Sequence, residues 1–342
     1  MRRQSSVGIP RALSYYTFYP MWREFFKVLG LKVIVSLPTN RKILDDGIRE
    51  TVNDACIPIK IFHGHVLNLA GRVDYIFIPR LVSADGRSTF CPKFLGLPDM
   101  VRHAGMPLPQ LIDIRFNCGR FPAGGILQFF FGVAFTMGIK NPITIFQAAI
   151  RAVLKDHQYR RLMQMGLTPL KALAMLDQNL ASKDGLVERD NPEEKNKMAI
   201  ALLGYPYAVF DPYISADIYE KLVKLGVSVI TFEQIPPKIM RQFSRVLPQN
   251  FFWYYSNRVC WAGLYLLRAK NKVDGIIHLT AFGCGPDAMV DKTLELEAKR
   301  AGLPFLSLSI DEHTGEGGVQ TRLEAFIDML QARKSKIKVA GY

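Results

Sequence analysis

Three landmark residues recur at one offset: Gly8 and Gly204, Pro10 and Pro206, and Gly30 and Gly226 are each 196 positions apart. Around the first set the chain reads as a strand through Val7-Gly8-Ile9-Pro10, then an aromatic helix through Tyr19, Trp22, Phe25 and Phe26. A glycine stop at Leu29-Gly30 and an apolar run from Leu31 to Ser36 follow. Around the second set, Met198 to Pro206 is apolar, a helix passes through Tyr219, Leu222 and Val223, Leu225-Gly226 stops it, and Val227 to Phe232 is apolar again. An internal repeat without gaps confines the chain to a fold made of two similar halves.

The likeness continues. Arg72-Val73-Asp74-Tyr75-Ile76-Phe77-Ile78-Pro79 in the first half is matched by Lys272-Val273-Asp274-Gly275-Ile276-Ile277-His278-Leu279 in the second. Further strands are expected at Leu111 to Phe116 and Leu306 to Ile310. Each half is then a βαβαβ unit, and strands alternating with helices imply parallel sheets with both faces covered. The expected fold is α/β: two similar parallel-sheet domains of flavodoxin- or Rossmann-like type, joined by a helical insert, with a cleft between them. Boundaries are placed at residues 1–120 and 196–333 for the two domains. Residues 121–195 are the helical insert and linker, and 334–342 a basic tail. Within the insert, Ile143 to Gly166 has helical period, Thr168-Pro169 starts a helix that runs on from Leu170 to Leu180, and Ser182 to Lys197 is a charged, exposed linker.

Charge does not identify a partner by itself. The 342 residues carry 44 Lys and Arg against 30 Asp and Glu, a formal charge of +14. The basic residues are nevertheless scattered, except for Arg333 to Lys338, which reads as a solvated end. Neither finger-spaced Cys and His nor a basic stripe with stacking aromatics is found, so no nucleic-acid partner is expected and anionic ligands or acidic proteins fit better. The most apolar stretch, Ile126 to Gly138, spans 13 residues, short of the roughly 20 that cross a bilayer, and reads as a buried helix. With no leader at Met1 to Val7, a cytoplasmic location without membrane attachment is expected.

Five cysteines, an odd number, direct attention to thiolate chemistry or metal ligation rather than disulfides. In open parallel sheets ligands bind beyond the carboxyl ends of strands. Cys91, in Phe90-Cys91-Pro92, and Cys284, in Phe282-Gly283-Cys284-Gly285-Pro286-Asp287, fall in comparable loops beyond matching strands. Cys56 precedes Ile57-Pro58, a helix opening that places its thiol near a positive helix end. Cys118 follows the strand Leu111 to Phe116. Cys260, ahead of an apolar helix body, reads as a small core residue.

Other polar groups are less specific. Lys60, His63 and His65 can bind a metal or an anion, or form a helix end with partly exposed imidazoles. Asp311, Glu312 and His313 follow the last strand, where catalytic carboxylates sit, yet Glu312 and Glu316 also suit loop and capping positions. No glycine-rich nucleotide fingerprint, no P-loop and no Gly-x-Ser-x-Gly elbow is present, so no nucleotide is expected to bind this chain.

Taken together, Gly8-Ile9-Pro10-Arg11-Ala12-Leu13, Tyr19-Pro20-x-Trp22, Lys60-x-x-His63-Gly64-His65, Phe282-Gly283-Cys284-Gly285-Pro286-Asp287 and Asp311-Glu312-His313-Thr314-Gly315-Glu316 resemble the acyl-CoA dehydratase activase-related proteins. Those are relatives of the 2-hydroxyacyl-CoA dehydratase subunits and the double-cubane cluster proteins. The resemblance implies an oxygen-sensitive iron–sulfur cluster in a protein of anaerobes, with Cys56, Cys91 and Cys284 as metal ligands. A 4Fe-4S cluster with three thiolates leaves one iron for solvent, substrate or Cys118. Six cysteines, as a double cubane within one chain requires, are absent. Backbone amides around Gly283 and Gly285 are placed to donate to cluster sulfides. Lys60, His63, His65, Asp311, Glu312 and His313 are candidates for substrate contact or for supporting the ligands.

The resemblance also implies electron transfer from a separate ATP-dependent activase, driving reduction or radical dehydration of a small or CoA-linked substrate, in a homodimer or heterodimer. Two other readings stand beside it. One is a non-catalytic bilobed module that binds a small ligand or regulates, without a cluster. The other is a mononuclear metal hydrolase using Asp311, Glu312 and His313 with a thiolate.

Overall fold

The computed structural model describes residues 4–119, 121–178, 198–269 and 273–340, so the charged segment Ser182 to Lys197 lies outside the described residues. The chain divides into two compact units. One comprises Met1–Met163, Leu167–Leu186 and Phe251–Asn257; the other comprises Gln164–Gly166, Val187–Asn250 and Arg258–Tyr342.

Ten strands are described: β1 (Ser6–Ile9), β2 (Lys32–Val35), β3 (Tyr75–Phe77), β4 (Arg80–Ser83), β5 (Gln110–Ile112), β6 (Arg115–Asn117), β7 (Ala199–Gly204), β8 (Ser228–Ile230), β9 (Gly275–Ala281) and β10 (Phe305–Ile310). The first unit holds a parallel sheet in the order β2-β1-β3-β5, and the second a parallel sheet in the order β8-β7-β9-β10. The two orders are the same when the strands of each four-stranded sheet are counted in chain order, so the repeat in the sequence is a repeat in topology.

The landmark residues explain why. Gly30 and Gly226 lie just past helices Tyr15–Val28 and Ile218–Lys224 with φ of +79° and +76°, a left-handed conformation that glycine adopts without strain. At the head of the third strand of each sheet an aspartate ties it to the first. Asp74 accepts from the backbone N–H of Ser6 at 2.8 Å, and Asp274 from that of Ala199 at 2.8 Å. The Val-Asp pairs that align in the sequence thus hold strand register in both units.

Two expectations need correction in the first unit. The single strand expected from Leu111 to Phe116 is interrupted and becomes β5 and β6. Beyond β3 the chain continues into β4, which pairs in parallel with β6 as a separate two-stranded sheet. The breaks fall at Ile78-Pro79 and Asp113-Ile114, and a proline has no amide hydrogen for a ladder.

The aromatic face of helix Tyr15–Val28 forms the core of this unit. Phe18, Trp22, Phe25 and Phe26 are buried, with Trp22 edge-on to Phe77 and Phe25 stacked on Phe130 at 4.2 Å between centroids. Phe130 belongs to helix Pro122–Thr136, so part of the expected insert packs into the first unit. That helix buries Phe129, Phe130, Val133 and Ala134, whereas Phe135 is exposed, so the apolar stretch is half-buried rather than enclosed. Helix Pro142–Gln164 follows, and helix Pro169–Asp177 starts at Thr168, whose hydroxyl accepts from the Lys171 N–H. Among the described residues no helix is long and apolar enough to cross a membrane.

At the other end, helix Glu316–Ala340 runs through Arg333 to Lys338, so this basic segment extends a helix instead of forming a separate tail. Arg333 donates to the Gly302 carbonyl and Lys334 to Asp274.

Helices Arg41–Arg49 and Ile57–Leu69 cross in close backbone contact. A methyl group at Gly47 would lie 1.9 Å from the Lys60 carbonyl oxygen, and one at Gly64 would lie 1.8 Å from that of Ile43. Neither obstacle is a side chain that can swing away. Gly47→Ala and Gly64→Ala are each expected to lower stability by at least about 2 kcal/mol in denaturant titration. A loss below about 0.5 kcal/mol would mean that the helices separate freely.

Candidate metal centre

Three of the five cysteines stand at the same structural position. Cys56 is the N-cap of helix Ile57–Leu69, Cys91 that of Pro92–Arg102 and Cys284 that of Gly285–Ala301. Each helix carries a proline in its first two residues: Pro58, Pro92 and Pro286. Proline suits that place because its fixed φ fits the first turn, where the amide hydrogens have no partner within the helix. None of the three thiols is spent on a capping hydrogen bond. The free amides and aligned peptide dipoles of a helix start favour negative charge, so a thiolate is better tolerated here than mid-helix. All three are half-buried, whereas Cys118 and Cys260 are buried.

In the first unit Cys56 and Cys91 are electrostatic neighbours, with one cation beside them. The Lys93 ammonium lies 3.9 Å from Cys56 Sγ. Burial pushes the Cys91 thiol above its ordinary pKa; a backbone hydrogen bond at Lys93 and the Lys93 charge pull against it, and Cys56 adds to it. A metal's positive charge would reverse that balance. Cys118, after β6, is pushed up to about 11 by burial, with the nearby Asp85 adding to it. Cys260, inside helix Tyr254–Arg268, is pushed up to about 12 chiefly by burial.

Polar networks fix these helices. Arg80 of β4 bridges Asp99 of helix Pro92–Arg102 to Asp113, with Nη2 2.6 Å from Asp99 Oδ1 and 2.9 Å from Asp113 Oδ2; Arg102 closes the ring on Asp113 at 2.9 Å. Hydrogen bonding from Arg80 pulls the Asp99 carboxyl down to about 2. The groups are a quarter to a half exposed, so each pair contributes at most about 1 kcal/mol. Their consequence is positional: the helix that Cys91 caps is tied to the start of β4.

Lys60, His63 and His65 lie in the body of helix Ile57–Leu69 and are all buried, so they form no exposed helix end. His65 is hydrogen-bonded to Ser36 Oγ at 2.9 Å and Thr39 Oγ1 at 3.0 Å, and burial pushes it down to about 3. It is a neutral strut between the helix that Cys56 caps and the chain leaving β2. His63 Nδ1 donates to the Ile59 carbonyl at 2.9 Å and is likewise lowered by burial.

In the second unit, β9 leads through Phe282 and Gly283 directly to Cys284. Gly283 has φ of +75°, and nothing lies within 4 Å of a methyl group placed on Gly283 or Gly285, so both glycines leave open space beside the thiol. After β10, Asp311 accepts from the His313 N–H at 2.9 Å and the Thr314 hydroxyl at 2.8 Å. Burial opposes its ionisation and these bonds outweigh it, holding the carboxyl below its usual range. Asp311 is therefore engaged by its own loop, and Glu316 pairs with Lys221 at 2.7 Å. The sequence reading missed His278, buried in β9, whose Nδ1 is hydrogen-bonded to Asp291 at 2.7 Å. Among the described residues no three His, Cys, Asp or Glu side chains are gathered closely enough to hold a metal ion. Thiols at helix starts fit an iron–sulfur cluster in kind; Cys56 and Cys91 belong to the first unit and Cys284 to the second.

Comparison with known proteins gave two family matches. The CoA enzyme activase uncharacterised domain (DUF2229) matches residues 6–235, more than half of the chain, and the D-component of 2-hydroxyglutaryl-CoA dehydratase matches residues 254–330. No curated protein matches. Among solved structures, a proposed phosphosugar isomerase from Silicibacter pomeroyi DSS-3 is 10% identical with a TM-score of 0.20, over 98% of this chain and 87% of that one. A periplasmic binding protein/LacI transcriptional regulator from Alkaliphilus metalliredigens QYMF, complexed with D-xylulofuranose, is 10% identical with a TM-score of 0.19, over 90% of this chain and 97% of that one. Similarity at that level carries no argument about fold or ligand.

The burial of the five thiols generates a prediction for the metal-free chain. Alkylation near pH 8, read peptide by peptide, is expected to label Cys56, Cys91 and Cys284 first. Cys118 and Cys260, both buried and with thiols pushed up to about 11 and about 12, should react at least about tenfold more slowly. Labelling of Cys118 as fast as Cys284 would contradict the described burial.

Proposed function

The chain belongs to the CoA enzyme activase uncharacterised domain family, and from that premise we propose that it is an iron–sulfur component of the dehydratase type, receiving low-potential electrons from a separate ATP-dependent activase. The observation that carries the reading is the placement of Cys56, Cys91 and Cys284 at helix starts, two of them beside Lys93. The match of residues 254–330 to a dehydratase D-component supports the same assignment.

Cys56, Cys91 and Cys284 are the proposed ligands of a cluster, most simply 4Fe-4S, with Cys118 a less favoured fourth because its thiol is buried and hard to ionise. When bound, such a cluster supplies one-electron chemistry at a potential tuned by charge, hydrogen bonds and exposure. The chain's own residues set those conditions. Helix starts favour negative charge at the thiols and Lys93 offsets negative charge at Cys56; around Cys284 the candidate donors are the amides of Gly283 and Gly285 themselves, because the Cys284 N–H donates to the Ala281 carbonyl at 3.0 Å and Pro286 has no N–H. The open space beside Gly283 and Gly285 leaves room for a substrate at Cys284. The proposed substrate is a CoA thioester or another small molecule, and the excess of cationic side chains suits a phosphate-bearing carrier.

The test is iron content after anoxic reconstitution. Cys56→Ser, Cys91→Ser and Cys284→Ser are each expected to lose more than about half of the bound iron, while their metal-free forms unfold at the denaturant midpoint of the metal-free wild type. Cys260→Ser is expected to keep it all. Full iron in Cys284→Ser would remove that residue from the ligand set and the proposal with it.

A further inference from the structure

Every residue of β9 is buried, and its centre reads Ile276-Ile277-His278-Leu279. A charged ring in such a strand is strongly disfavoured unless opposite charges and hydrogen bonds compensate it. Here they do. His278 is fully enclosed, with Nδ1 2.7 Å from Asp291 Oδ1 and Nε2 3.3 Å from Asp287 Oδ1. The second contact is an ion pair without hydrogen-bond alignment, since both atoms lack a hydrogen-bond partner.

Both carboxylates come from helix Gly285–Ala301, four residues apart and so on one face of it. Asp291 also accepts from Ser307 Oγ at 2.9 Å; Ser307 is the β10 residue in register with His278, and the Phe305 ring lies over the imidazole. From β7 the register partner is the apolar Leu203. The ionisable side chains shown against the ring are therefore the two aspartates. Burial alone would keep the imidazole neutral, and the carboxylates outweigh it, pushing its pKa up to about 9.

Asp287 is the third residue of the helix that Cys284 caps, so whatever holds Asp287 holds the first turn beneath the thiol. We propose that His278 is the positioning residue for Cys284, clamping the start of helix Gly285–Ala301 onto β9 and β10 through Asp287 and Asp291. Its importance for a cluster rests on the reading above, but the clamp itself exists in the metal-free chain and is tested there.

The experiment is hydrogen exchange on the full metal-free chain, with rates corrected for intrinsic exchange. In His278→Gln, amides of residues 288–292 are expected to lose protection at least about tenfold, while those of β7 change less than about twofold. Asp287→Asn, which keeps the shape and removes one charge, is expected to act in the same direction. The wild type supplies a readout that a packing role would not move. A group whose folded pKa lies above its unfolded value stabilises fully below the unfolded pKa and loses that contribution as pH rises through the folded one. Protection at 288–292 should thus fall as pH passes about 9 in the wild type and stay level in His278→Gln. Unchanged protection in both variants, an equal loss in β7, or a wild-type profile without that step would overturn the proposal. Iron content is measured separately, so failure of the clamp and failure of the cluster assignment give different results.

Discussion

A thiol at a helix N-cap is only as well placed as the helix behind it, and the candidate centre depends on that constraint. Each cap sits where the chain has just left a strand or loop and where the first, unsatisfied amides of a helix face outward. The side chain of cysteine is short, so its sulfur moves with the first turn. The structure fixes the three helices by three different means. Helix Ile57–Leu69 is held by the glycine crossing at Gly47 and Gly64 and by His65 between Ser36 and Thr39. Helix Pro92–Arg102 is held by Arg80 and Arg102 on Asp99 and Asp113, and helix Gly285–Ala301 by its two aspartates on His278.

The repeated topology accounts for the similarity of the two units and also for how they differ. Both sheets place the first strand beside the second and third, and both use an aspartate at the head of the third strand to fix register. In the second unit the third strand runs straight into the glycine turn and Cys284. In the first, β4 and β6 are added beyond it, and Cys91 follows that extension. The sites are analogous in direction, at the carboxyl side of the strands, but differ in the path that leads to them.

Much of this architecture was legible in the residues. Gly30 and Gly226 marked helix ends because a left-handed residue is needed there, and the proline after Cys56 marked a helix start for an equally local reason, whereas Cys91 and Cys284 were read as loop residues and prove to be helix caps too. What was not legible depends on partners distant in the chain. His278 sits in an apolar run where periodicity registers only a strand, and its partners come from the next helix. Arg80 likewise acquires meaning from Asp99 and Asp113, and Gly47 from a carbonyl on another helix. The exposed imidazoles expected near His63 failed for the same reason, since the burial of that helix comes from packing rather than from its own sequence.

The central claim is that these capped thiols are ligands rather than small core residues. It is tested most directly by purifying the chain without oxygen and measuring iron and acid-labile sulfide per chain together with the visible absorption spectrum. The account predicts about four of each and a broad brown absorption. Colourless protein without iron or sulfide, after attempted reconstitution, would contradict it and leave a two-unit binding module in its place.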